Sequence, residues 1–223
     1  GLLQAANSIS ETVGAELNIE EVMAGIMNEL KILFRSTSLC VLLYDEDENA
    51  LKFAPRTLKY YEISNPEFQN VRVFPVDGRS GGSIACKVAK TALFTRRLEY
   101  FHIPNVKDDP DYLPLNLKTI SELCVSLMGR RGDLLGVLAL EREKRAFDND
   151  DIAFVKMAAQ QLGQAIERAQ QSDQLAFKST VATMTAWASD IAHDINSEIG
   201  LIRGRAYLLK QVISDPQAVR YVN

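Results

Sequence analysis

The sequence predicts an α+β protein in which an antiparallel sheet flanked by helices is followed by a long C-terminal coiled-coil helix. Three observations carry this. Short apolar or alternating runs recur between turn signals from Leu39 to Leu140, and the last two are joined by Gly129-Arg130-Arg131-Gly132-Asp133, a β-hairpin connection. From Asp148 to Ile213 there is no proline, and the only glycines are Gly163, Gly200 and Gly204, so one helix can run through the segment. Late in that segment apolar residues return in steps of three and four at Val181, Met184, Ala188, Ile191, Ile195, Ile199 and Ile202, the seam of an amphipathic helix.

In chain order, residues 1–15 read as an N-terminal dimerisation helix. Asn18 is placed to cap a second helix, with Glu20 and Glu21 in its first turn and Val22, Ile26, Leu30 and Leu33 as its buried stripe. Leu39 to Tyr44 is too short and too apolar for an exposed helix and reads as a central strand. An acidic turn, Asp45 to Asn49, leads to a second strand from Leu51 to Thr57, and Val71 to Val76 alternates as a third. The loop Asp77 to Ser83 follows, with Ser83 capping a short helix to Lys90 and Ala92 to Thr95 reading as a short strand. Arg96 to Asn116 reads as a long irregular segment with three prolines, a length often associated with function. Leu123 to Met128 and Leu134 to Leu140 form the hairpin. Asp148 then caps the long helix, with Asp150 and Asp151 in its first turn. Its early seam is Val155, Ala159, Leu162, Ile166 and Ala169. Phase is lost over Gln170–Thr180, around Ser172 and Asp173, and regained at Val181, as in a coiled-coil stutter. A seam this long calls for a partner helix, and a parallel homodimer is the economical one.

Composition bounds the function. Hydrophobic residues make up 47% of the 223 residues, enough for a sizeable core. Lys and Arg number 25 against 29 Asp and Glu, which argues against a nucleic-acid partner. No apolar run approaches the ~18 residues that span a bilayer, so no membrane partner is expected. The chain opens on Gly1 without a signal peptide and reads as an excised fragment of a cytoplasmic protein. Cys40, Cys86 and Cys124 are isolated among apolar neighbours and read as reduced, buried thiols. No CxxC pair or His/Cys cluster suggests a metal.

The chemistry concentrates in Ile191-Ala192-His193-Asp194-Ile195-Asn196-Ser197-Glu198-Ile199. At about 100° per residue, His193 lies roughly 160° from both Ile191 and Ile195, in opposite senses. Its imidazole therefore points away from the seam, with Asp194 beside it. A neutral ring nitrogen held out on a rigid helix is a nucleophile, and a carboxylate at the other nitrogen fixes its tautomer.

Three stretches resemble the GAF domain family. They are Phe74-Pro75-Val76-Asp77-Gly78-Arg79-Ser80-Gly81-Gly82-Ser83-Ile84-Ala85, Ile103 to Pro110, and Ser121 to Leu127 with Gly136 to Glu141 and Ala146-Phe147. The resemblance covers residues 16–170 and implies a sensory domain with a ligand cavity, for which Phe74, Phe94, Tyr100, His102 and Tyr112 are the candidate lining residues. Arg79, Arg96 and Arg97 are candidate contacts for an anionic ligand, with a solvated face as their ordinary role. The ligand itself is not legible.

Residues 171–223 read as a signalling helix and a partial histidine-phosphotransfer helix. His193-Asp194-Ile195-Asn196-Ser197 with Ile202-Arg203-Gly204-Arg205-Ala206 is similar to the phosphoacceptor box of sensor histidine kinases. The resemblance implies that His193 accepts the γ-phosphoryl group of ATP, that Asp194 orients the imidazole and takes its proton, and that Ser197 assists phosphatase chemistry. It implies a homodimer, an ATP-binding domain of the parent protein as kinase, and a response regulator receiver domain as the next acceptor. Trp187, near the regained seam, reads as dimer packing. One residue departs from the pattern: Glu198 stands where many members carry a helix-bending proline. A second helix would begin after Asp215-Pro216, and no Gly-rich ATP lid follows.

Other readings stay open. One is a non-catalytic dimeric scaffold, favoured by Glu198. Another is a cofactor-binding sensor: haem on His102, a bilin on Cys86 or Cys124, or a cyclic nucleotide read by Lys144, Phe147 and Asp151. In the last of these, Glu143 and Ile152 replace two residues of that signature.

Overall fold

The structure, a computed structural model, describes residues 19–34, 37–55, 57–77 and 83–214. The expected N-terminal helix, the Asn18 cap, Arg79 and the segment after Asp215 lie outside these residues. The chain divides into two compact units between Gln171 and Ser172.

The first unit is built on one antiparallel sheet. Its strands are β1 (Thr37–Asp45), β2 (Ala50–Phe53), β3 (Val73–Pro75), β4 (Tyr100–Ile103), β5 (Ser121–Met128) and β6 (Leu134–Arg142), in the order β3-β2-β1-β6-β5-β4. Three helices accompany it: α1 (Ile19–Leu33), α2 (Ile84–Thr95) and the start of α3 (Asn149–Ser214). Because side chains alternate along a strand, β1, β5 and β6 supply two cores. Leu39, Val41, Leu123, Val125, Leu127, Leu138 and Leu140 face one way. They pack against Val22, Ile26 and Leu30 of α1 and Val155, Ala159 and Leu162 of α3. Cys40, Leu42, Cys124, Val137 and Ala139 face the other way, against Ile84, Val88 and Ala92 of α2. Each fully buried Leu or Ile contributes about 1.5–3 kcal/mol.

Local chemistry fixes the helix ends. Ser83 Oγ accepts from the Cys86 N–H at 3.3 Å and starts α2. Asp148 and Asp151 form a reciprocal capping box at the start of α3: each carboxylate accepts from the other's backbone N–H, at 2.9 and 3.1 Å. Asp151 also pairs with Arg142 at 2.7 Å, and the Arg142 guanidinium lies 4.3 Å from the Phe147 ring centroid. At Gly163 a Cβ would sit 2.7 Å from the Met128 carbonyl oxygen, so α3 approaches β5 as closely as it does only because no side chain intervenes.

Two elements differ from the sequence expectation. Ala92 to Thr95 is not a strand but the last turn of α2, which Arg96 ends in the left-handed conformation with its N–H on the Ala92 carbonyl. The usual helix-stop residue here is Gly or Asn, so Arg96 gave no signal. Within the supposedly irregular Arg96–Asn116 segment, Tyr100–Ile103 forms edge strand β4, paired only with β5. Four residues on a sheet edge carry too little alternation to stand out.

In the second unit α3 continues as α-helix to Ser214, through Gln170–Thr180 and past Glu198 without a break. From Gln174 to Lys210 every residue is exposed, including Val181, Met184, Trp187, Ile191, Ile195, Ile199 and Ile202. Among the described residues no helix is long and apolar enough to cross a membrane.

Candidate functional site

Each unit carries its own chemically distinctive station. In the first unit it is a small cavity on the α2 face of the sheet. Leu42, Leu113 and Leu115 give it aliphatic walls, and Phe53 meets Tyr61 at a tilt and Phe74 edge-to-face to give an aromatic one, with centroids 5.8 and 5.5 Å apart. The volume open to the centre of a water molecule is about 20 Å³, room for one water.

Two carboxylates line this cavity, Glu122 and Glu141, which stand directly opposite each other in the β5–β6 register. They are 7% and 2% exposed. Glu141 is well served with donors: Thr119 Oγ1 at 2.9 Å and the Tyr112 hydroxyl at 3.4 Å. Glu122 has one described donor, the Cys124 thiol at 3.2 Å. Burial pushes both carboxyls above their ordinary range. For Glu122 the like charge of Glu141 pushes further, to about 8. For Glu141 the hydroxyls of Tyr61, Thr119 and Tyr112 pull back, and it rests at about 7.

Of the five residues expected at this cavity, Phe74 lines it and Tyr112 reaches its Glu141. The other three do not meet there. Phe94, 89% exposed on α2, projects into water. Alternation along β4 puts Tyr100 and His102 on the opposite face, in register with Val125 and Leu123. There Lys156 lies over the Tyr100 ring, and His102 contacts Ser121 Oγ at 3.3 Å and the edge of Phe147. Burial, then Arg142, lowers the His102 pKa. Arg96 and Arg97 are exposed, away from the cavity lining.

Residues considered for cofactors have structural work. Cys86 and Cys124 are buried and their thiols are pushed up by that burial, which disfavours the nucleophilic thiolate. Phe147 fills the helix-side core, and Asp151 is committed to Arg142 and Arg145. Among the described residues no group of three His, Cys, Asp or Glu is arranged to hold a metal ion.

Sequence reading missed Glu122, Glu141, Phe53 and Tyr61 as cavity residues. The signal was present for the acids. In Ser121–Leu127 and Val137–Glu141 each glutamate occupies an inward position of a strand whose every other inward residue is apolar or small.

The second station is on α3. His193 and Asp194 side chains are 81% and 85% exposed, with Nδ1 3.6 Å from Oδ1. That is within ion-pair range and beyond a hydrogen bond. One turn on, the Ser197 hydroxyl donates to the His193 carbonyl at 2.9 Å, which leaves its oxygen lone pairs outward. The arrangement presents one nucleophilic ring nitrogen, a neighbouring base and a polar hydroxyl to solvent.

A six-stranded antiparallel sheet with helices on both faces and a small cavity defines the fold. The chain belongs to the GAF domain family, whose profile matches residues 18–166. Similar solved structures include the free methionine-R-sulfoxide reductase of Neisseria meningitidis, solved with its substrate. It is 20% identical over 77% of this chain and 91% of that one, with a TM-score of 0.61. The GAF domain of a phosphoenolpyruvate-protein phosphotransferase from Coxiella burnetii is 17% identical over 78% and 96%, at 0.61. The GAF domain of a phosphoenolpyruvate-protein phosphotransferase from Acinetobacter is 16% identical over 78% and 97%, at 0.58. These likenesses establish the fold. No curated protein matches the chain.

Proposed function

We propose that the chain is the sensory and phosphoacceptor portion of a two-component sensor histidine kinase, with His193 as phosphoacceptor. The observation that carries the reading is the exposed His193–Asp194 pair on an α-helix whose apolar seam is also exposed. The neutral imidazole attacks the γ-phosphorus of ATP through Nε2. The N–P bond forms, the bond to the β,γ-bridging oxygen of ADP breaks, and Asp194 takes the Nδ1 proton. ATP comes on a separate nucleotide-binding domain, and a response regulator receiver domain accepts the phosphoryl group. Ser197 serves phosphatase chemistry. The seam from Val181 to Ile202 pairs with a second copy as a parallel coiled coil, and the cytoplasm is the compartment. A signal in the GAF cavity biases rotation or register of that coil and so the access of the kinase to His193.

The test is ATP labelling of the full-length parent protein. Acid-labile, alkali-stable label that His193→Gln abolishes and Asp194→Asn slows about 10²-fold or more supports the reading. Wild-type protein that takes no label favours the scaffold reading, which rests on Glu198 and the unbent helix around it.

A further inference from the structure

We infer that a surface groove beside α3 docks an acidic amphipathic helix of a partner protein, with its apolar side chains on Leu98, Met128 and Met157 and its carboxylates toward Arg130 and Lys156. This goes beyond the phosphoacceptor reading and does not rest on it, because it concerns binding alone.

Shape comes first. The groove has a volume of about 580 Å³. α3 lines it with Ala153, Lys156, Met157, Gln160 and Gln164, positions three and four apart that share one side of a helix. From Ala153 to Gln164 that side runs about 16 Å, roughly three helical turns. It lies beside the face that Val155, Ala159 and Leu162 bury against the sheet, so it is free of the core. Leu98 and Met157 are half-buried against the helix-side core, and Met128 against that of α2. A groove of this length with an apolar lining suits a short helix laid along it, and thioether side chains adapt to its contours.

The charge around the groove has mainly one sign. Arg130 and Lys156 line it, and no carboxylate does. Glu167, one turn beyond Gln164, lies 3.9 Å from Arg130 Nε, the outer limit of an ion pair, and Arg130 is 71% exposed. Lys156 meets the Tyr100 ring, 4.5 Å from its centroid. The rim extends the field. A Cβ at Gly132 would sit 2.9 Å from the Arg96 carbonyl oxygen, so the turn carrying Arg130 and Arg131 lies against the end of α2 with Arg96 and Arg97. Arg96, Arg97 and Arg131 are exposed, and among the described residues none has an ion pair. Glu99 and Asp133 are the acids interleaved with them. This concentration of cations stands on a chain of net charge −4, so it steers an acidic segment to this place and repels a basic one. The chain's own exposed acids Glu46, Asp47 and Glu48 have no apolar residue among them. A second copy therefore brings charge without the anchor, and a flat lipid surface leaves the groove unfilled.

Three labelled peptides of one length decide the matter on the full chain, with binding read by fluorescence anisotropy. One is an amphipathic helix with Leu on one side and Glu on the other; the second has Lys for each Glu; the third has Ser for each Leu. The Leu/Glu peptide is expected to bind about tenfold or more tighter than either counterpart, and to weaken several-fold as salt rises from about 0.05 to about 0.5 M. Arg130→Glu combined with Lys156→Glu should lose about tenfold for the Leu/Glu peptide and gain affinity for the Leu/Lys one. Equal binding of either counterpart, no binding by the folded chain, or unchanged affinity in the double variant overturns the inference. Capture by vesicles of phosphatidylglycerol and phosphatidylcholine without any peptide bound overturns it in favour of a membrane contact. Self-association that the double variant loses, again without any peptide bound, overturns it in favour of an interface between copies. Should the double variant fail to fold by circular dichroism, the peptide ranking and salt dependence of the unaltered chain decide it alone.

Discussion

The two faces of the sheet handle buried charge in opposite ways. On the face of α1 and α3, Arg142 is neutralised: Asp151 lies 2.7 Å away, and Phe34 and Phe147 flank the guanidinium. On the face of α2, Glu122 and Glu141 set two carboxylates opposite each other, with burial holding their protons on. One face neutralises its buried charge with a counter-ion; the other serves its carboxylates with hydroxyl and thiol donors. The contrast teaches two ways of burying charge. A buried ion pair ties elements together by neutralising charge, whereas a like-charged pair is held by donors and retained protons and makes the domain's stability depend on pH.

The sharpest way to break the comparison is at the satisfied pair. Asp151→Ala leaves Arg142 buried without its counter-charge and removes half of the α3 capping box. It is expected to cost about 3–5 kcal/mol, read as a lowered denaturation midpoint; a cost below about 1 kcal/mol would mean the pair is not what ties α3 to β6.

The like-charged pair should show itself through pH. Both carboxyls are raised in the folded domain, so it binds more protons than the unfolded chain. Its stability is therefore fully present below the ordinary carboxylate pKa of 4.5 and is lost as pH rises toward about 8. The expected loss is on the order of a few kcal/mol between these limits, measured by urea denaturation across the range, and Glu122→Gln flattens it. A flat profile in the unaltered chain contradicts the burial argument.

Next in size is packing on the satisfied face. Gly163→Ala drives a methyl toward the Met128 carbonyl and is expected to cost about 1–3 kcal/mol by thermal unfolding. Phe94→Ala marks the small end. With Phe94 in water, the change should stay within about 0.5 kcal/mol.

Much of this fold was legible because local signals agreed with tertiary need. The Gly129–Asp133 turn, the Ser83 and Asp148 caps and the proline-free run to Ile213 each state their element in a few residues. What was not legible depended on partners far along the chain. The side taken by Tyr100 and His102 follows from the β4–β5 register, which no local pattern specifies for an edge strand of four residues. The Glu122–Glu141 apposition likewise exists only once β5 and β6 are paired. On the long helix the run without proline sufficed for the element itself.

The second unit sharpens the comparison from outside. Its His193–Asp194 pair is exposed, with Nδ1 3.6 Å from Oδ1. Its regained phase at Val181 makes register the variable to perturb. Deleting seven residues within Gln170–Thr180 should preserve signalling in the parent protein, and deleting four, which turns the seam by about 50°, should not; equal activity would remove the coil as the relay.

The central claim is settled most directly by locating the phosphoryl group. The parent protein, incubated with ATP and kept at neutral to alkaline pH, is cleaved and its peptides are mapped by mass spectrometry. The account predicts one phosphorylated position, His193, lost in His193→Gln. Phosphate on another residue, or undiminished in that variant, would contradict it.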